Sequence, residues 1–309
     1  MVLPSLAAAI VLGMTSRAPI QAEAYDPRVV AYARQIAAGE VEPALTDLNA
    51  LAASGDLNAH DVLGEIYAGA TGVVNRDRPR SCEHFRAARE AGASAAHNYA
   101  QCLWEGAYGD RRLEEARVWY QNAAEGGFLQ SKCALGNMIA KGEGGAADPA
   151  RGMALCREAA DAGEPNAQTD LGDYYGAGTF VPRDYVEARR WYGLAAAQGQ
   201  RNALFNLGVF DWNGLGGQRD LESAGKWFEA AYAAGRLDAA SLVGRAALIR
   251  AVPNTPAGPV DVALLGKAKT WFEIAAEKDP DEAARAQAAV ALAQISGYEA
   301  LSRQHLSAD

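Results

Sequence analysis

The stretch from Leu171 to Gly199, LGDYYGAGTFVPRDYVEARRWYGLAAAQG, decides how the whole chain is read. It divides into two short helices joined by a Gly-bearing turn. The first carries Leu171, Gly172 and Tyr175 at helical spacing. The second carries Ala188, Trp191, Tyr192, Ala195 and Ala196 before stopping at Gly199. Such a spacing puts the apolar residues of each helix on one face. Neither helix can bury that face alone, so the pair needs neighbours on both sides.

The chain supplies them at a fixed period. Small residues open successive units at Ala59, Ala95, Ser131, Ala167, Ala203 and Ala239, each 36 positions after the last. Four positions on stand Leu63, Tyr99, Leu135, Leu171, Leu207 and Val243, each followed by Gly or Ala. In the second helix Trp119, Leu155, Trp191 and Trp227 hold one register, and Gly127, Gly163, Gly199 and Gly235 close the units. A period of this length with helical spacing inside it predicts a solenoid. The small residue after the Leu lets the next helix come close. The closing Gly supplies the left-handed C-cap that a side chain would resist.

The pattern A-x3-LG-x2-Y-x2-G-x-GV … D-x3-A-x2-WY-x2-AA-x2-G resembles the Sel-1-like repeat, a relative of the tetratricopeptide repeat. The resemblance covers roughly residues 40 to 290. It implies an all-α fold: a right-handed solenoid of antiparallel helix pairs, about six 36-residue repeats with capping helices at both ends. Departures are local: Asp211 stands where Tyr is expected, His84–Phe85 replaces Trp–Tyr, and Phe180 replaces a turn Gly. The expected division is a signal peptide over 1–24 and a capping helix pair over 25–58. The repeats follow over 59–282, with a Pro- and Gly-rich insertion at 251–262, and a capping helix over 283–309.

Charge narrows the partners. Lys+Arg 29 against Asp+Glu 38 gives a net charge of −9, and no basic stripe or polybasic segment is present. That disfavours nucleic acid and anionic membrane surfaces. Residues 1–24 place an apolar run from Val2 to Met14 ahead of Ala22-Glu23-Ala24, which fits the small-x-small rule for cleavage before Tyr25. No Lys or Arg precedes the run, so the alternative is the N-terminus of a cytoplasmic protein. The run is too short to span a bilayer, and the mature chain is expected not to insert in a membrane.

The four cysteines bear on the same question. Cys82 and Cys102 each lie 10 residues from Gly92, and Cys133 and Cys156 flank the Gly144–Gly145 turn almost symmetrically. Residues equidistant from the turn of a helical hairpin lie at one height, so both pairs can approach bonding distance. Of three possible connectivities this is the one the geometry favours; four buried free thiols are the alternative. Disulfides and a signal peptide together favour the periplasm or the cell exterior.

A search for chemistry is mostly negative. No HExxH, nucleophile elbow, phosphate loop or zinc spacing is present, and no cofactor is expected. GEGG at 142–145 and GLGG at 214–217 sit where every unit has its inter-helix turn, so they read as turns. No catalytic constellation is found. What remains is the concave face that first helices line in a solenoid. Carried over from tetratricopeptide relatives, the lining positions give one row of Asn58, Ser94, Gln130, Asn166, Asn202 and Asp238. A second row is Glu65, Gln101, Asn137, Asp173, Val209 and Arg245, with Trp104 and Trp212 in a third. The first row could bond the backbone of an extended peptide, or it could cap helices, which Asn does well. Cys133 also falls on a groove row, which sits awkwardly with a bond to Cys156 behind it.

The resemblance implies a non-enzymatic scaffold or adaptor that holds a protein or peptide on this face in the periplasm. Two alternatives use the same features. One is a binder of cell-wall fragments through the groove and its Trp pair. The other is a weak β-lactamase-like enzyme of the cysteine-rich Sel-1-like type.

Overall fold

The structure is a computed structural model describing residues 26–252 and 260–306, with side chains through residue 300. The expected signal peptide and most of the 251–262 insertion lie outside the described residues. Among the described residues every element is a helix, fifteen in all. The chain divides after Ala162 into two compact units.

The first unit holds α1 (Pro27–Ala37), α2 (Val41–Ala53), α3 (Leu57–Ala68), α4 (Arg78–Ala88), α5 (Ala93–Glu105), α6 (Leu113–Glu125), α7 (Leu129–Lys141) and α8 (Pro149–Asp161). The second holds α9 (Pro165–Ala177), α10 (Tyr185–Ala197), α11 (Arg201–Asn213), α12 (Leu221–Ala233), α13 (Ala239–Ala251), α14 (Val262–Lys278) and α15 (Glu282–Leu306). Within each unit every helix packs on the next in chain order, as a solenoid requires.

The helix ends follow from local chemistry. Asp26, Asp56, Asp77, Asp148, Asp184, Asp220 and Asp261 each accept a hydrogen bond from a backbone N–H of the turn they open. This satisfies donors that have no intrahelical partner. At the other end, the expected left-handed glycines are found: Gly127, Gly163, Gly199 and Gly235 have φ of 83°, 94°, 77° and 93°.

The small residue that follows the register Leu has a visible purpose. A Cβ on Gly172 would lie 2.4 Å from the Tyr192 ring, and one on Gly208 would lie 2.5 Å from the Phe228 ring. Gly64 bears the same relation to Phe85, at 2.5 Å. These three repeats are thus locked by an aromatic ring of the second helix seated on a bare stretch of the first. Cys156 stands 36 positions before Tyr192, in the ring's place. There the lock is different. Gly136 and Gly152 meet backbone to backbone, a Cβ on either coming within 2.5 Å of the other's carbonyl oxygen. This approach brings Cys133 and Cys156 to a Cα–Cα distance of 4.0 Å, and they are bonded. Cys82 and Cys102 are bonded likewise, at 5.7 Å. Cys133 is buried, so it belongs to the core and not to an open groove. That removes the conflict between its groove position and its bond.

Candidate functional site

Helices α3, α5 and α7 carry the anticipated lining residues of the first unit. Asn58 is half-buried, Ser94 is buried and Gln130 is exposed. In the second row Glu65, Gln101 and Asn137 are half-buried. Glu65, Gln101 and Trp104 are each held by a neighbouring polar side chain. Asn98 donates to Glu65 at 2.8 Å, and Gln101 donates to Glu105 at 2.8 Å. Glu105 also holds Arg78 at 2.6 Å. Trp104 is 36% exposed and donates its indole N–H to Glu143 at 2.7 Å. The Arg111 guanidinium lies 4.6 Å from the Trp104 ring centre and donates to its backbone carbonyl. One ring face is therefore occupied by a cation.

In the second unit α9, α11 and α13 present Asn166, Asn202 and Asp238. Asn166 and Asn202 do not cap their helices, and Asp238, at the N-cap position of α13, makes no side-chain capping bond. Glu164 accepts from the Ala167 N–H, and Gln200 accepts from the N–H groups of Asn202 and Ala203 at 2.6 and 2.9 Å. Asn166 and Asn202 instead join neighbouring repeats. Gln200 donates to Asn166 at 3.1 Å, and Arg236 donates to Asn202 at 3.0 Å and to Asp238 at 3.1 Å. The Arg236 guanidinium also lies 3.6 Å from the Phe205 ring centre. A second set of rungs runs alongside. Asp173 accepts from Tyr192 at 2.6 Å and from Asn206 at 3.0 Å. Burial pushes the Asp173 carboxyl up, and the two donors pull it partly back.

The two tryptophans are not equivalent. Trp212 is half-buried with its ring 6.4 Å from that of Phe228, whereas Trp104 stands at the surface. Val209 is half-buried and packs against the core of the second unit. Arg245 is exposed and donates to Gln287 of α15 at 3.1 Å. It lines a cleft of about 500 Å³ with Ser241, Leu248, Phe272 and Val290.

Sequence reading missed the residues that hold these rows in place. Glu164, Gln200 and Arg236 stand 36 apart, two positions ahead of Asn166, Asn202 and Asp238, and that periodicity is visible in the sequence. It also missed a Ser–His pair: His97 Nδ1 lies 2.7 Å from Ser131 Oγ. Both are buried, and the imidazole packs against Tyr120 and Phe128. A pair at this depth meets no substrate, so its role is to satisfy two polar groups in the core.

A family model described as the Sel1 repeat matches residues 58–92, 93–128, 130–164, 165–200, 201–235 and 264–280. The chain belongs to the Sel1 repeat family. Among solved structures it is similar to a Sel1 repeat protein from Oxalobacter formigenes, at 22% identity and a TM-score of 0.58, over 83% of this chain and 99% of that one. It is also similar to c5321, a protective antigen of uropathogenic Escherichia coli strains displaying an SLR fold. There the identity is 27% and the TM-score 0.56, over 81% of this chain and 52% of that one. No curated protein matches the chain. Sel1 repeats are scaffolds for protein–protein interaction, and two disulfides are the chemistry of an oxidising compartment. No described helix is long and apolar enough to cross a membrane.

Proposed function

We propose that this Sel1 repeat protein is a non-enzymatic scaffold that holds a protein or peptide partner on its first-helix rows, exported to the periplasm after loss of residues 1–24. The observation that carries this reading is the set of cross-repeat rungs. Asn166–Gln200, Asn202–Arg236 and Asp173–Asn206 fix long polar side chains before any partner arrives. Binding then loses less side-chain freedom, a cost of about 0.5–1.5 kcal/mol per immobilised side chain. Each bridging amide keeps donor or acceptor capacity for an extended backbone. The binding residues are Asn58, Gln101, Trp104, Gln130 and Asn137 in the first unit, and Asn166, Asp173, Asn202, Trp212 and Arg245 in the second.

The test is site-specific photo-crosslinking in cells. A crosslinker at Gln101, Gln130 or Asn202 should trap one defined partner, and one at exposed Val118 or Val186 of the second helices should not. Equal trapping from both sets would overturn the reading. Intact mass of the exported chain tests the compartment: a chain starting at Tyr25 and lacking four thiol hydrogens is expected.

A further inference from the structure

Two of the turns between the helices of a repeat press on the start of the preceding second helix. At Gly144 a Cβ would lie 2.4 Å from the Leu113 carbonyl oxygen, and at Gly216 one would lie 2.6 Å from that of Tyr185. An arginine of the second helix completes each seat. A Cβ on Gly145 would lie 2.5 Å from the Arg117 guanidinium. Arg189 donates to the Leu215 carbonyl at 2.9 Å and to Asp211 at 2.6 Å.

The first such seat is built differently. Counting back 72 positions from Arg117 gives Leu45, and from Gly144 gives Gly72. Leu45 cannot reach the turn as arginine does, and nothing lies within 4 Å of a Cβ on Gly72. The turn over residues 69–77 therefore stands away from α2 and leaves a cleft of about 610 Å³.

Its lining points to a ligand. Val41, Leu45 and Val73 give an apolar wall interrupted by one carboxylate, Glu42, which three arginines of the turn and α4 outnumber, and Val73 is 47% exposed. Arg76 and Arg80 are exposed, and neither has an ion-pair partner among the described residues. Arg78, by contrast, is committed to Glu105, and Asp77 to capping α4. Tyr67, which stands 144 positions before Asp211, lines the cleft; its buried hydroxyl has no hydrogen-bond partner among the described residues. Where the later repeat pairs its polar group with arginine, this one leaves a hydroxyl donor unsatisfied, Arg76 without an ion pair, and the Arg80 guanidinium stacked over the Tyr67 ring at 4.3 Å with no carboxylate on it.

We propose that this cleft is a binding site for a carboxylate-bearing peptide segment, the carboxylate held between Arg76 and Arg80 and an adjoining aliphatic side chain on the valine wall. Guanidinium groups suit carboxylate because their donors match its two oxygens. The site is separate from the first-helix rows and stands or falls independently of them.

The test is an NMR titration of the exported full chain with the capped dipeptide acetyl-Glu-Leu-amide, and with acetyl-Gln-Leu-amide as the neutral twin. Saturable shifts are expected at the Val73 and Val74 methyls and the Arg76 and Arg80 Nε–H groups. The neutral probe should bind about tenfold more weakly, the weight of one strong charge-assisted hydrogen bond. Arg76→Gln and Val73→Asp change exposed positions and leave the fold intact; each should weaken the acidic probe by a similar factor. Equal binding of both probes, no saturable shift, or shifts confined to the side-chain amides of Gln101, Asn166 and Asn202 would overturn the proposal.

Discussion

The two units are made of the same repeat and held together by different means. In the first unit (26–162), two disulfides join neighbouring helices, and one of them replaces the aromatic ring that elsewhere sits on the register glycine. In the second (163–306) there is no cysteine. Tyr192 meets Phe210 edge to face, Phe228 meets Phe205 and Trp212 at a tilt, Asp211 meets Arg189, and the amide and arginine rungs tie repeat to repeat. Thin Ala-rich layers bury little area per helix, so each unit must add something beyond hydrophobic contact. The first adds covalent bonds, which act on the unfolded chain, to its polar and aromatic contacts; the second relies on polar and aromatic contacts of the folded chain alone. The first solution works only where thiols are oxidised.

That contrast is broken most strongly by reductant. The disulfides close sequence separations of 20 and 23 residues, which the chain-entropy relation values at about 3 kcal/mol each. Reduction, or Cys→Ala replacement of all four, should therefore destabilise the first unit by about 6 kcal/mol. Hydrogen exchange read by mass spectrometry would show loss of protection across α4–α8 with α10–α12 unchanged. Loss of protection in both units alike would show that they do not differ in the way described.

Acid should separate the units next. An imidazole in an unfolded chain titrates near 6.5, but burial holds that of His97 down at about 4. Between those values the unfolded chain takes up a proton that the folded chain refuses. Stability is thus full above pH 6.5 and falls as pH drops toward 4, by about 3 kcal/mol from His97. His84 is held down at about 4 as well, by burial first and then by His60, whose Nδ1 lies 2.9 Å from its own. Both residues belong to the first unit. Urea midpoints at pH 7 and pH 4.5 should differ by less in His97→Gln than in the unaltered chain, and an equal difference would remove His97 as the cause.

Much of this organisation was legible in the sequence. The 36-residue period, the closing glycines and the Asp211 and Phe180 departures are all visible there, and so is the symmetry of each cysteine pair about its turn. The first-helix rows could be written down as positions, but not what their side chains do. The reason is that their partners lie in the next repeat, offset within the period. Asn98 is 33 residues from Glu65, and Gln200 is 34 from Asn166. A repeat consensus aligns residues at multiples of 36, and these pairs fall between its columns. The open cleft escaped for a related reason. It arises from what Leu45 fails to do, and only the comparison with Arg117 and Arg189 reveals that.

The Asp211–Arg189 pair offers a sharper test on the second unit. The Asp211 side chain is 8% exposed and that of Arg189 29%, so the pair is only partly shielded and worth less than a fully buried one. Asp211→Ala strands the guanidinium and should cost about 2 kcal/mol, read as lost protection in α10 and α11. Asp211→Tyr restores the residue that Tyr175 supplies one repeat earlier. Combined with Arg189→Leu, it would recreate the Tyr67–Leu45 seat of the first unit. The double variant should then recover most of the stability lost by Asp211→Ala, and failure to do so would mean that the two seats are not interchangeable.

The smallest effect concerns Phe180, the one described non-glycine residue at positive φ. Its φ of 64° matches the 68°, 73° and 65° of Gly72, Gly144 and Gly216 in the same register. A side chain in this region costs about 1–2 kcal/mol relative to its ordinary conformations. The ring recovers part of that through an edge-on contact with Tyr174, at 5.3 Å between centres, worth about 0.5–1.5 kcal/mol. The two terms nearly cancel, so Phe180→Gly, which removes both and adds some chain entropy, should leave stability within about 0.5 kcal/mol of the unaltered chain. Phe180→Ala keeps the strain and loses the contact, and should cost about 1 kcal/mol. The gap between the two variants measures the strain directly. If Ala and Gly prove equally stable, the turn relaxes around a side chain at no cost, and the register glycines of the other repeats are not required by their φ. Their necessity would then rest at Gly144 and Gly216 on the carbonyl that a Cβ would strike, and Gly72, which faces open space, should accept Ala freely.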